Sequence, residues 1–121
     1  CVHLINGLPG ETREDMLDSV KTVSALDPWA IKLHMLHVLR GTVCETMYKN
    51  GEFRTFEKDD YVNLVCDELE HIAPHIVLQR LTGDGARAEL VAPLWSLKKF
   101  ELLNAIDREM TRRGSFQGMR T

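Results

Sequence analysis

The sequence predicts an α/β fold, with three parallel strands flanked by outer helices. Short apolar and β-branched runs stand at 2–5, 30–38 and 75–81. The segments between and after them carry apolar residues at helical spacing. Glycine, proline and capping residues punctuate the passages from one to the next. Strands that alternate with helices read as βαβ units, whose crossovers leave the strands parallel.

The first strand, Val2–Ile5, is stopped by Gly7, Pro9 and Gly10. Thr12 then stands as an N-cap with Asp15 at the third helical position. A helix over 12–26 follows, with Met16, Val20 and Val23 on its apolar side and Leu17 beside them. Asp27-Pro28 ends it, because the residue before proline is biased away from the helical region. In a parallel sheet the Gly7–Thr12 turn lies at the carboxyl end of its strand, where ligands bind. Its glycines allow close backbone approach and Pro9 stiffens it. A plain chain reversal would use the same residue types.

Residues 30–38 predict the second strand, with Lys32, His34, Leu36 and Val38 on one face and Ile31, Leu33, Met35 and His37 on the other. Thr42 and Glu45 form a capping-box pair, so a short helix is expected over 43–49, stopped by Asn50-Gly51. Residues 52–57 connect it to a helix over 58–72, striped by Tyr61, Val65, Leu69 and Ile72 with Leu64 flanking. Ala73-Pro74 closes that helix. The third strand is 75–81, with a loop over 82–85. Residues 86–94 read as irregular or as one helical turn. A last helix is expected from Leu94 to Arg113, with Leu97, Phe100, Leu103, Ile106 and Met110 apolar and Gly114 as its cap. Residues 1–114 read as one unit and 115–121 as a mobile tail.

The 121 residues suit one domain with a modest core. No apolar run approaches the ~20 residues that span a bilayer, and no secretory pattern opens the chain. A net charge of −3 supplies no general attraction to nucleic acid. Cys1, Cys44 and Cys66 are an odd and scattered set, which points to a reducing, cytoplasmic compartment rather than a disulfide framework. Their spacing matches neither a zinc site nor a ferredoxin cluster.

His34 and His37, three apart on a strand, point to opposite faces and share no metal. His34 shares a face with Lys32 and reads either as a site residue or as a hydrogen-bonded core histidine. Lys32, Arg40, Gln79 and Arg80 lie on or just after strands and are substrate candidates. Guanidinium groups suit phosphate or carboxylate; Arg40 and Arg80 would equally pair with Asp84, Glu11 or another acid to hold loops. Glu11 suits a ligand or the first turn of its helix. Trp29 and Trp95 read as packing anchors.

The stretch Ile5-x-Gly7-Leu8-Pro9-Gly10-Glu11-Thr12 resembles the strand-plus-turn motif of radical S-adenosylmethionine (SAM) enzymes. Related subfamilies include the oxygen-independent coproporphyrinogen oxidases, the elongator catalytic subunit and the YhcC-type Fe–S oxidoreductases. The superfamily often has glycine two residues before the isoleucine, where this chain has His3. The segment from Lys32 to Thr42, the run Gln79–Asp84 and the segment from Ala92 to Lys99 are each similar to YhcC-type proteins. The four motifs stand in the same order and span nearly the whole chain.

The resemblance implies that this is the later part of a radical SAM partial TIM barrel, cut from a longer protein. It implies SAM and a [4Fe–4S] cluster as cofactors, with the Cys-x3-Cys-x2-Cys ligands upstream and absent here. Ile5, Asn6, Gly7, Pro9, Gly10 and Glu11 would face the adenosyl group, with His34 and Leu36 from the second strand. The implied partners are the N-terminal half of the same protein, an electron donor and an unread substrate, for which the elongator similarity suggests tRNA. The isolated chain is expected to be inactive and to dimerise, swap elements or be marginally stable, since a cut barrel leaves strand edges open. A second reading stands beside this one: a non-catalytic βα module that binds a phosphorylated ligand or a partner protein at the Gly7–Thr12 turn.

Overall fold

Residues 1–81 and 89–121 are described by the computed structural model. They run in the order β1 (Val2–Asn6), α1 (Arg13–Ala25), β2 (Ala30–Met35), β3 (Val38–Leu39), α2 (Val43–Lys49), α3 (Lys58–Glu70), β4 (Val77–Arg80), β5 (Leu90–Ala92), a 3-10 turn (Leu94–Leu97) and α4 (Lys99–Arg113). The strands β1, β2 and β4 form the expected parallel sheet, with β2 in the middle. The expected loop over 82–85 lies outside the described residues.

Register assigns the two faces. Leu4 lies opposite Leu33 and Asn6 opposite Met35 on the face that packs against the helices. His3 lies opposite Lys32 and Ile5 opposite His34 on the other face. The ladder between β2 and β4 shifts register after Ile31, so that Lys32 pairs with Arg80. The core is Ile31, Leu33 and Met35 of the sheet against Val20 of α1, Tyr61, Val65 and Leu69 of α3, and Leu102 and Ile106 of α4. Full burial of such a side chain is worth about 1.5–3 kcal/mol, so this layer supplies most of the drive to fold.

The Thr12 cap forms as a full capping box: Thr12 Oγ1 accepts from the Asp15 amide and Asp15 accepts from the Thr12 amide. The Thr42 cap forms by half. Its hydroxyl accepts from the Glu45 amide, while Glu45 turns to the Gly41 amide. Gly114 closes α4 with φ +62°, a conformation that favours glycine.

Four expectations need correction. The strand expected over 30–38 ends at Met35, and Val38 and Leu39 instead pair antiparallel with Ala92 and Leu90. The same pairing makes a strand of residues 90–92, which had read as irregular or helical. The helix expected from Leu94 breaks at Lys98, whose backbone is not helical (φ −95°, ψ 66°), so α4 starts in a new phase. Leu102 and Ile106 therefore face the core, and Phe100 is 81% exposed. Trp29, expected to anchor packing, is 70% exposed.

Residues 115–121, expected to be mobile, lie against the end of α3. The Gly118 amide donates to the Leu69 carbonyl at 3.0 Å and the Arg120 amide to the Glu70 carbonyl at 2.9 Å. Gln117 Nε2 donates to the carbonyls of Ala73 and Ile76 at 2.9 and 2.8 Å. The bonds to Leu69 and Glu70 engage carbonyls of the last turn of α3, which a helix end leaves open. Gly118 sits at φ +84°, where an added Cβ would fall 2.4 Å from the Pro74 ring. Gly118→Ala is expected to lower stability by about 1–3 kcal/mol through strain and clash. Denaturant midpoints of the two proteins check this; coincident midpoints would mean that the tail contributes nothing.

Candidate functional site

The site is built outward from the end of β1. The Asn6 carbonyl accepts from the Leu36 amide at 2.8 Å, which holds the ends of β1 and β2 together. Its side-chain Nδ2 donates to Glu68 Oε1 of α3 at 2.7 Å, and both residues are buried. Burial pushes the Glu68 carboxyl up to about 8, against the opposing pull of the Asn6 bond and of Arg13. Its Oε2 has no hydrogen-bond partner among the described residues.

Gly7 follows with φ +91°, and a Cβ there would lie 3.1 Å from Phe56 Cε2. So an aromatic ring makes the close approach that this glycine permits. Phe56 meets Tyr61 edge-on with centroids 5.9 Å apart, and Tyr61 lies 5.4 Å from Trp95. Trp95 Nε1 donates to the Phe56 carbonyl at 2.8 Å, and Tyr61 Oη to the Leu81 carbonyl at 2.9 Å. Trp95 is thus the packing anchor expected of it.

Two open cavities flank this base. On the helix side, Gly7, Pro9, Gly10 and Glu11 form one wall of a cleft of about 670 Å³, faced by residues 52–57. On the opposite face of the sheet, His3, Ile5, His34, Leu36, His37 and Arg80 line a cavity of about 420 Å³. The His34 ring lies 5.5 Å from that of His3. Desolvation, and then the charges of His3, Arg80, Lys32 and His37, hold the His34 imidazole below its ordinary value. Its Nε2 is covered and has no hydrogen-bond partner among the described residues.

The fold thus gathers Ile5, His34, Leu36 and Arg80 at one cavity, with Lys32 beside His34. It places Gly7, Pro9, Gly10 and Glu11 at the neighbouring cleft, and Asn6 beneath the turn. Gln79 Oε1 accepts from the Cys1 thiol at 3.4 Å across the sheet. Arg40 stands apart: its amide donates to the Glu89 carbonyl, next to the two-stranded sheet. Sequence reasoning missed Glu68. The signal was available, since Glu68 sits seven residues after Tyr61 and four before Ile72, within an otherwise apolar stripe. Phe56 lay in a connection that carried no periodic pattern.

The Radical_SAM C-terminal domain matches residues 28–112, which is most of the chain. The chain belongs to this family. This radical SAM C-terminal domain is 47% identical over 118 residues to YtqA of Bacillus subtilis, covering 98% of the chain and 37% of YtqA. It is 40% identical over 121 residues to a Methanocaldococcus jannaschii protein, covering 99% and 38%. It is 30% identical over 114 residues to YhcC of Escherichia coli K12, covering 94% and 37%. The chain therefore spans little more than a third of these relatives. Among solved structures, Methanocaldococcus infernus Elp3 with residues 1–46 deleted shares the fold, with a TM-score of 0.75 at 20% identity. That match covers 95% of this chain and 27% of Elp3.

Membership in the family associates the parent protein with SAM and an iron–sulfur cluster. The cysteines of this domain do not fit the cluster. Cys1 is exposed, Cys44 lies in the first turn of α2, and Cys66 is buried against the Ile106 carbonyl with its thiol pushed up to about 11. Among the described residues no three His, Cys, Asp or Glu gather as a metal site. The covered His34 Nε2, without a hydrogen-bond partner among the described residues, does fit a polar organic ligand on the cavity face. No helix of the described residues is long and apolar enough to cross a membrane.

Glu68 gives the domain a pH dependence whose sign is fixed. Its carboxyl is near 8 when folded and 4.5 unfolded. The folded state therefore holds a proton that the unfolded state has lost between those values. Stability should fall by up to about 1.4 kcal/mol per pH unit from about pH 4.5 to 8, then level off. Glu68→Gln keeps an acceptor for Asn6 and cannot ionise, so it should gain on the parent protein across that window. Urea midpoints at pH 5, 6.5 and 8 check this; a constant difference between the two would show that Glu68 titrates normally.

Proposed function

We propose that this chain is the later part of a radical SAM barrel and forms the adenosyl-side wall of its active site. The supporting observation is the junction at Asn6–Gly7. There a glycine turn at the carboxyl end of β1 meets the His34–Leu36 end of β2, beside a polar sheet face that no helix of the described residues covers. When bound, SAM at a reduced [4Fe–4S] cluster supplies a carbon-centred radical for substrate oxidation or rearrangement. The cluster ligands would lie in the upstream half of the parent protein.

This chain's own work is positional. Ile5, Asn6 and Gly7 offer backbone groups at the strand end, while Pro9, Gly10 and Glu11 shape the turn. Phe56 and Trp95 exclude water from beneath it. His34 and Leu36 close the side towards β2, and Lys32, Gln79 and Arg80 face the substrate space. The upstream half would cover the open edge of β1 and hold the cluster, with an electron donor as a further partner, and the whole would be a cytoplasmic oxidoreductase. The rival reading, a phosphorylated ligand at the Gly7–Thr12 turn, is poorly served by the cleft. Arg13 and Arg54 are outnumbered there by Glu11, Glu52, Glu57 and Asp60, which would repel phosphate.

Hydrogen exchange on the full-length protein tests the assignment. Added SAM should slow amide exchange within residues 5–11 and 34–36 while leaving α4 unchanged. SAM binding without protection at those residues would remove the adenosyl-side role. A second outcome follows from the cysteines: anaerobic reconstitution of residues 1–121 alone with iron and sulfide should yield no stoichiometric cluster by EPR. A cluster there that is lost on Cys→Ser replacement would place the ligands in this chain after all.

A further inference from the structure

The layer between sheet and helices holds an acid whose second oxygen is left over. Glu68 is fully buried, its Oε1 accepts from Asn6 Nδ2, and its Oε2 has no hydrogen-bond partner among the described residues. Arg13 of α1 acts on it only as a lesser influence and makes its own contact with Asp67. Tyr61 Oη, a further buried polar group in that layer, donates to the Leu81 carbonyl. Buried polar atoms in native proteins are nearly always bonded, so an orphan of this kind marks a neighbour still to come. Glu68 lines a cavity of about 280 Å³ that follows β1 from His3 to Asn6. Leu4, Leu8 and Met16 give it apolar walls, Glu11 joins Glu68 as a second acid, and no lysine or arginine among the described residues lines it. β1 is an edge strand of its sheet, with β2 on one side and no described strand on the other. Such an edge presents unpaired backbone groups, and here Ile5 and Leu8 are exposed beside it.

We propose that this cavity seats a lysine or arginine side chain from a strand that the upstream part of the parent protein lays along β1, its cationic head bonded to Glu68 Oε2 beside Glu11. The proposal rests on the reading above that this chain is the later part of a barrel. The family is a C-terminal domain, and the matched relatives extend for more than half their length beyond the part that this chain covers. A parent protein built on that plan has upstream chain to supply the strand. A strand paired with β1 would stand about 4.8 Å away, and every second side chain of it would enter the face of Leu4 and Asn6, where Glu68 lies. A long stem packs on Leu4, Leu8 and Met16 while its head reaches the acids, which is how lysine and arginine divide between apolar and polar surroundings. Two acids at a cavity that no described cation lines favour a charged head over a neutral donor. With that head in contact Glu68 ionises, and a buried, charge-assisted bond joins the two parts of the barrel.

The test uses the full-length protein with isotope-labelled glutamate, the Glu68 carboxyl being the NMR signal lost in Glu68→Gln. The surroundings within this domain hold that carboxyl at about 8, and a cation in contact should bring it to its ordinary 4.5 or below. Replacing one upstream lysine or arginine by methionine should return it towards 8, which identifies the residue. Glu68→Gln in the full-length protein should lower the urea midpoint at neutral pH, because it leaves a buried cation unpaired. That sign is opposite to the one expected for the domain alone. A carboxyl that still titrates at about 8, a midpoint that is unchanged or raised in Glu68→Gln, or the lack of any upstream replacement that moves the signal would each overturn the proposal. Hydrogen exchange at β1 separates this claim from the barrel reading. Slow exchange throughout residues 2–6 with Glu68 still at about 8 keeps the covering strand and removes its cation. Fast exchange of alternate amides there leaves β1 an open edge and removes the strand on which both claims rest. Protection that is lost on dilution puts a second copy of the protein at the edge and overturns the proposal as well.

Discussion

The buried hydrogen bond between Asn6 and Glu68 is the constraint on which the rest depends. It joins the last residue of β1 to the last turn of α3, across the layer where sheet meets helix. A buried polar group without a partner costs about 1–3 kcal/mol, so each residue of the pair makes the other tolerable. The bond fixes where β1 stops, and therefore where the chain turns at Gly7. It also explains why Phe56 can sit against Gly7: Tyr61, seven residues before Glu68 on the same helix, carries the aromatic stack up to the turn. The carboxyl end of β1 is thus fastened to the core by one polar contact and three aromatic rings.

The remaining charged groups act at the periphery of that joint. Asp67, the neighbour of Glu68, pairs with Arg13 of α1 and with Arg113 of α4. Glu70 takes Arg113 and Arg120. Helices α1 and α4 and the tail are therefore keyed to one stretch of α3, beside the residue that holds β1. Partly exposed pairs of this kind contribute little each, about 0–1 kcal/mol. Their effect is to set which way the helices lie, while the apolar layer beneath supplies the stability. Burial, with no cation in contact, raises the Glu68 carboxyl, whereas the Ser115 hydroxyl and then Arg120 hold that of Glu70 below its ordinary value.

The fold was legible where local rules and tertiary packing agree. The Val2–Ile5 run, the Thr12–Asp15 capping box and the α3 stripe are each written in a few residues, and each formed. It was illegible where a distant partner decides. Val38 and Leu39 pair with residues 90–92, about fifty positions on, and no short-range pattern encodes that match. The same pairing cut short the predicted second strand. Lys98 breaks the final helix without glycine or proline, so its phase could be known only from what it packs against. At the site, the glycine turn, His34 and Arg80 were visible by residue type and by their position at strand ends. Glu68 was overlooked because an acid within an apolar stripe reads as an interruption until its partner, sixty-two positions away, is seen.

The two faces of the sheet carry the last step. Parallel sheets are ordinarily covered on both faces, and their strands are correspondingly apolar. Here one face follows that rule through Leu4, Ile31, Leu33 and Met35. The other presents His3, Lys32, His34 and Arg80, and an apolar layer over it would desolvate the Lys32 and Arg80 cations at several kcal/mol each. That composition makes sense only if the uncovered face meets polar matter: water, a ligand, or the polar lining of a further set of strands. A module evolved to stand alone would gain by exchanging these residues for leucine and valine and covering them with another helix. Their presence on the face that adjoins the Gly7 turn is what favours the proposed reading of this face as a wall of an active-site space.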